Sequence, residues 1–161
     1  MPGLSGPARM FKVSSVMPDF TQLIPELKQW NTNVESWIAA VGRFDHAIAY
    51  GQIFWPQFRI HDECVLFADC PDASFDHWMQ HTTGDRTAVE AVLNHRHILD
   101  LFANSEFEPT EEAVVHLGRL MRDMWSCKLV RDFPGRAIVV SFEEETGDDM
   151  LDYQITFYHK R

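Results

Sequence analysis

The stretch AIVVSF (residues 137–142), EEETGDD (143–149) and MLDYQITF (150–157) decides the fold class. Ile138, Val140 and Phe142 alternate along its first part, and Leu151, Tyr153, Ile155 and Phe157 alternate along its last part. A period of two puts each set on one face of an extended strand. The polar run between them carries Gly147 and reads as the connection, so residues 136–158 form a β-hairpin with one buried face.

Working outward, a second hairpin is expected at residues 57–69. Phe58 and Ile60 favour a strand, His61, Asp62 and Glu63 carry the turn, and the run from Cys64 to Ala68 continues as a strand. That run is continuously apolar, which predicts burial on both of its faces.

Helical periodicity fills the rest. Asp19 caps a short helix with Leu23, Leu27 and Trp30 on one face, Pro25 sits at or near its start, and Asn31 ends it. Thr32 and Glu35 have capping-box spacing, and Val34, Trp37, Ile38, Val41 and Ile48 predict a helix over residues 33–50 with Gly51 as its stop. Ser74 caps a short helix carrying Phe75, Trp78 and Met79. Ala88, Ala91, Val92, His95, Leu99 and Phe102 make an apolar stripe over residues 84–104, with Thr87 and Glu90 as a second capping-box pair. Pro109 and Thr110 open a helix with Val114, Leu117, Met121, Met124 and Trp125, closed by Pro134 and Gly135. The expectation is an α+β fold, with an antiparallel sheet built from two hairpins (about 57–69 and 136–158) packed against four to five α-helices.

With 161 residues, 45% hydrophobic and 24% charged, the chain has the composition of one ordinary globular domain over residues 17–161. Residues 1–16 have no acid and hold two Pro, two Gly and three Ser, and they read either as a flexible tail or as residues upstream of a true start at Met17. No apolar run approaches the roughly 20 residues of a membrane span. Cys64, Cys70 and Cys127 form no CxxC pair and leave one thiol over, which points to a reducing, cytoplasmic setting. The net charge of −10 disfavours nucleic acid and anionic membranes and favours a basic protein partner.

Several constellations carry possible chemistry, each beside a plainer explanation. His77 and His81 stand four residues apart on one helical face, where Asp76 or Asp85 could add an oxygen ligand to a metal. The HExxH pattern is absent, because Trp78 stands where Glu is needed. Gly84-Asp85-Arg86-Thr87 at a helix start could hold an anion, although Asp85 as N-cap would fill that role itself. On a helix, His95 and His97 would point about 200° apart and could not share one metal; His95 then reads as a core or interface histidine. Glu143, Glu144, Glu145, Asp148 and Asp149 gather at the final turn and offer an acidic surface to a basic partner. Tyr50, Phe54, Trp55 and Phe58 surround Pro56 as a core junction or a binding patch. Cys64 and Cys127 fall on elements expected to be buried and read as packing residues.

No Walker loop, GxGxxG, GxSxG or kinase signature is present, and no cofactor is indicated. The leading expectation is a small acidic cytosolic protein-interaction module, of which an inhibitory or toxin-neutralising (immunity-type) protein is one form, with Trp55 and the acidic turn as contact residues. The alternative is a small-molecule or metal-dependent enzyme using His77, His81 and Arg86, with Asp85 as a further metal ligand.

Overall fold

The computed structural model describes residues 18–103, 108–144 and 149–161. Glu145 and Asp148 of the acidic turn, and the tail of residues 1–16, lie outside them. Two short helices, α1 (Phe20–Leu23) and α2 (Pro25–Gln29), lead into α3 (Val34–Val41) and α4 (Phe44–Phe54). Asp19 caps α1 by accepting from the Thr21 N–H, Pro25 opens α2, and Asn31 ends it at φ +48°.

The helix expected over residues 33–50 is two helices. Gly42 leaves α3 with extended backbone, and a Cβ there would meet the Ile38 carbonyl at 2.4 Å. The stop is therefore Gly42, and Gly51 lies inside α4. Asn33, not Thr32, is the cap, its side chain accepting from the Ser36 N–H at 2.8 Å.

Strands β1 (Phe58–His61) and β2 (Cys64–Phe67) form the first hairpin, with Phe58 opposite Phe67 and His61 opposite Cys64. Asp62 and Glu63 both have positive φ (+46° and +66°). That is the backbone of a tight two-residue hairpin turn, whose twist matches the strands. All four residues of β2 are buried. Val65 and Phe67 face a core with Trp125 and Phe157, while Cys64 and Leu66 face a second cluster with Phe75 and Val89. The apolar run thus serves two layers at once.

Helix α5 (Asp72–His81) starts at Pro71, ahead of Ser74, so no side chain caps it. Helix α6 (Arg86–Leu93) is capped by Asp85. The stripe expected to run on to residue 104 is interrupted at Asn94, whose buried side chain is tied to neighbouring strands. The chain then extends as β3 (Arg96–His97), followed by a 3-10 turn at Leu99–Phe102. Thr110 caps the 22-residue α7 (Glu111–Asp132). Strands β4 (Ile138–Phe142) and β5 (Gln154–His159) form the second hairpin, and β5 is central in a three-stranded antiparallel sheet of order β3-β5-β4.

The fold is α+β, with two antiparallel sheets rather than one. Helix α6 stands between them. The Glu90 carboxylate accepts from the Val65 N–H of β2 at 2.7 Å and the His159 N–H of β5 at 2.8 Å. Asn94 accepts from the Phe67 N–H and donates to the Val65 and Phe157 carbonyls. Side chains thus take the backbone groups that a continuous ladder would have paired. Helix α7 closes the core with Val114, Met121, Trp125 and Leu129. Gly118 lets the Phe142 ring sit against α7, where a Cβ would come within 2.2 Å of it.

Candidate functional site

Helices α3 and α4 bury no side chain, although both are rich in apolar residues. On α4, Ile53 and Phe54 pack on the core and Tyr50 meets the Phe102 ring. At 100° per residue, Phe44 and Ile48 lie on the side of α4 opposite Ile53. They are 84% and 59% exposed, and Ile38 of α3 is 53% exposed. Val41 of α3 and Trp30 after α2 are exposed as well. A helix apolar on two sides is normally covered on both.

Charges on α3 and α4 are few. Arg43 and Asp45 pair at 2.6 Å, and the Arg43 guanidinium pulls the Asp45 carboxyl down to about 2. The Trp37 indole N–H donates to Glu26, which fixes α3 against α2. Where Tyr50 meets Phe102, an apolar cleft of about 570 Å³ opens, lined by Ile98, Leu99, Val114 and Leu117.

The candidates read from the sequence are scattered. His77 and His81 do share a face of α5, with ring centroids 4.0 Å apart, and the His81 Nδ1 lies 2.8 Å from the His77 carbonyl. Asp85 is engaged as the N-cap of α6, accepting from the Thr87 and Ala88 N–H groups. Arg86 turns to the hairpin and holds Asp62 at 2.7 Å. Among the described residues, no group of three or more His, Cys, Asp or Glu side chains is arranged to hold a metal ion.

His95 and His97 lie on and beside β3, not on a helix. Residues two apart on an extended chain share a face, and their rings meet edge to face at 4.5 Å. The helical argument that separates them does not hold here. Burial pushes the His95 imidazole down, and the His97 charge adds to the effect. Cys64 is buried, and burial raises its thiol to about 11. Cys127, expected in the core, is exposed on α7.

Of the acidic turn, Glu144 is taken by Arg119 at 2.6 Å and Arg122 at 3.1 Å. The bond from Arg119, with both positive charges nearby, holds the Glu144 carboxyl below its usual range. Asp149 accepts from the Leu151 N–H, and Glu143 is exposed. Trp55 is half-buried beneath the Arg131 guanidinium, 5.0 Å from its ring, with Lys128 also over it.

The signal for α3 was present in the sequence as the stripe Val34, Trp37, Ile38 and Val41. What the sequence does not show is that, among the described residues, Val34 and Trp37 are only partly covered and Ile38 and Val41 are left exposed. No protein family matches the chain, and no curated protein or solved structure matches it either.

Proposed function

We propose that the protein is an interaction module that binds another protein through the outward face of α3 and α4, in a reducing cellular compartment. The observation that carries this reading is the pair Phe44 and Ile48, large apolar side chains held in the open on a helix whose other side is already packed. Helix α3 is eight residues long and buries nothing. Isolated helices shorter than about 12 residues are marginal in water, so an uncovered α3 gains most of its support from a bound surface.

The partner's chemistry follows from charge. The contact centre is apolar and almost neutral, while the chain as a whole carries −10. A second copy would bring two such fields together; a partner with an apolar stripe and a basic rim is attracted by the same field. An inhibitory or toxin-neutralising role is one form such a module takes.

The acidic turn contributes less than its composition suggests, because Glu144 is already neutralised by two arginines. The enzymatic alternative at His77, His81 and Arg86 has less support, since Arg86 is engaged with Asp62 and the two imidazoles gather no third ligand among the described residues.

Native mass spectrometry of gently purified protein, at low and moderate salt, tests the proposal when run beside a Phe44→Asp/Ile48→Asp variant. The expected result is a stoichiometric basic protein on the wild type, released by salt and missing from the variant. A partner retained by the variant, or a second copy of the chain as the bound species, overturns it.

A further inference from the structure

A cleft of about 450 Å³ lies among α4, the first hairpin, β3 and α7, away from Phe44 and Ile48. Phe67, Trp125, Ile53, Leu101 and Pro56 make its walls, and its polar groups are Gln52, Gln57, Asp69 and Arg96. This is the usual composition of a small-molecule site: an apolar body with a few placed polar groups.

Arg96 is the unusual member. Its half-buried guanidinium lies 4.4 Å over the Phe67 ring, and Nη1 donates to the Leu93 carbonyl at 3.3 Å and the His95 carbonyl at 2.7 Å. Among the described residues no carboxylate comes within 4.0 Å of it, and Nε and Nη2 make no hydrogen bond. Of the other half-buried arginines, Arg59 holds Asp72, Arg86 holds Asp62 and Arg122 holds Glu144, while Arg136 donates to the Glu63 carbonyl and lines no part of this cleft. An arginine anchored on one nitrogen, with the rest of its fork open to an apolar cleft, presents the geometry that takes a carboxylate in two parallel bonds. Burial pushes the Arg96 guanidinium down, and the nearby Asp69 carboxylate opposes that shift.

We propose that this cleft binds a small zwitterion of the α-amino acid type with an apolar or aromatic side chain. The ligand carboxylate pairs with Arg96, its ammonium group faces Asp69 at the exposed rim, and its side chain lies along the apolar wall that Ile53 and Leu101 present. Asp69 makes the selection, because it repels a simple carboxylate and compensates an ammonium beside one.

The test is calorimetric titration with L-phenylalanine, phenylacetate and 2-phenylethylamine, together with amide chemical-shift mapping. L-Phenylalanine should bind and shift the Gln57 and Ala68 amides, phenylacetate should bind more weakly, and the amine alone should not bind. Arg96→Gln should weaken L-phenylalanine about tenfold or more. Should that variant fail to fold, Ala68→Trp, which fills the cleft from an exposed position, should abolish binding. The proposal is overturned if L-phenylalanine does not bind at about 10 mM, a concentration that would detect even a millimolar site. It is also overturned if phenylacetate binds as tightly, or if binding survives Ala68→Trp. Each of these results leaves the reading of α3 and α4 standing, because Ile38, Phe44 and Ile48 line no part of this cleft.

Discussion

Glu90 and Asn94 lie one helical turn apart on α6 and together occupy the seam between the two sheets, both fully buried. Between them they accept three strand N–H groups and donate to two strand carbonyls. Arg161 adds its guanidinium to Glu90 at 2.8 Å. Each sheet therefore depends on this helix for the backbone pairing it would otherwise lack.

Replacing Glu90 with Gln keeps the shape but turns one acceptor into a donor, so either the Val65 N–H or the His159 N–H loses its partner, and Arg161 loses its countercharge. The cost should be about 2–4 kcal/mol. The midpoint of urea unfolding measures it, and a change under about 0.5 kcal/mol, typical of an unremarkable surface site, would contradict the seam's importance.

Gly118 stands inside α7, where helix propensity alone would reward Ala by about 1 kcal/mol. The Phe142 ring occupies the place of that methyl group. Gly118→Ala should therefore destabilise by about 1–3 kcal/mol, and Phe142→Leu in the same chain should recover part of the loss. Additive effects in the double-mutant cycle would show that the two residues do not compete for space.

The pH dependence should come in two steps. Burial lowers His95, so the unfolded chain takes up a proton more readily than the fold does. Its contribution is complete above the ordinary histidine value near pH 6.5 and is lost as pH falls through the lower folded value. Asp132 and Glu144 are held down by hydrogen bonds from Lys128 and Arg119. Their contributions are complete above the ordinary carboxylate range and disappear below about pH 4. Unfolding midpoints across pH 3 to 8 should fall in both windows, and His95→Gln should remove only the upper one.

Thiol labelling should separate the three cysteines. Cys127 is exposed and should react first, Cys70 more slowly because burial raises its thiol, and Cys64 only when the protein opens. Labelling of Cys64 as fast as Cys127 at pH 8 would contradict its buried placement on β2 against α6.

The four strands of the two hairpins were legible because alternation and a continuous apolar run are direct consequences of which faces are buried, whereas β3 fell inside the helix expected over residues 84–104. Helix α7 was legible from Thr110, its periodic stripe and Pro134. The end of α6 was not, because the stripe through Val92, His95 and Leu99 keeps a helical spacing past Asn94. What stops the helix is Asn94 bonding to strands 29 and 63 residues away in sequence. The division into two sheets is equally non-local. At the candidate sites, residue types revealed that Arg86 and Glu144 were charged, but not that Asp62, Arg119 and Arg122 already neutralise them. Phe44 was unremarkable in the sequence, since its exposure depends on how α4 is set against the core.

The central claim is that α3 and α4 form a docking face for a basic-rimmed apolar surface. It is tested most directly by titrating the protein with a designed amphipathic helix of leucine and lysine, and with the same pattern built from leucine and glutamate, while following tryptophan fluorescence. The lysine peptide should bind and the glutamate peptide should not. Phe44→Asp/Ile48→Asp should abolish binding while stability stays within about 0.5 kcal/mol of wild type. Equal binding of both peptides, or undiminished binding to the variant, would contradict it.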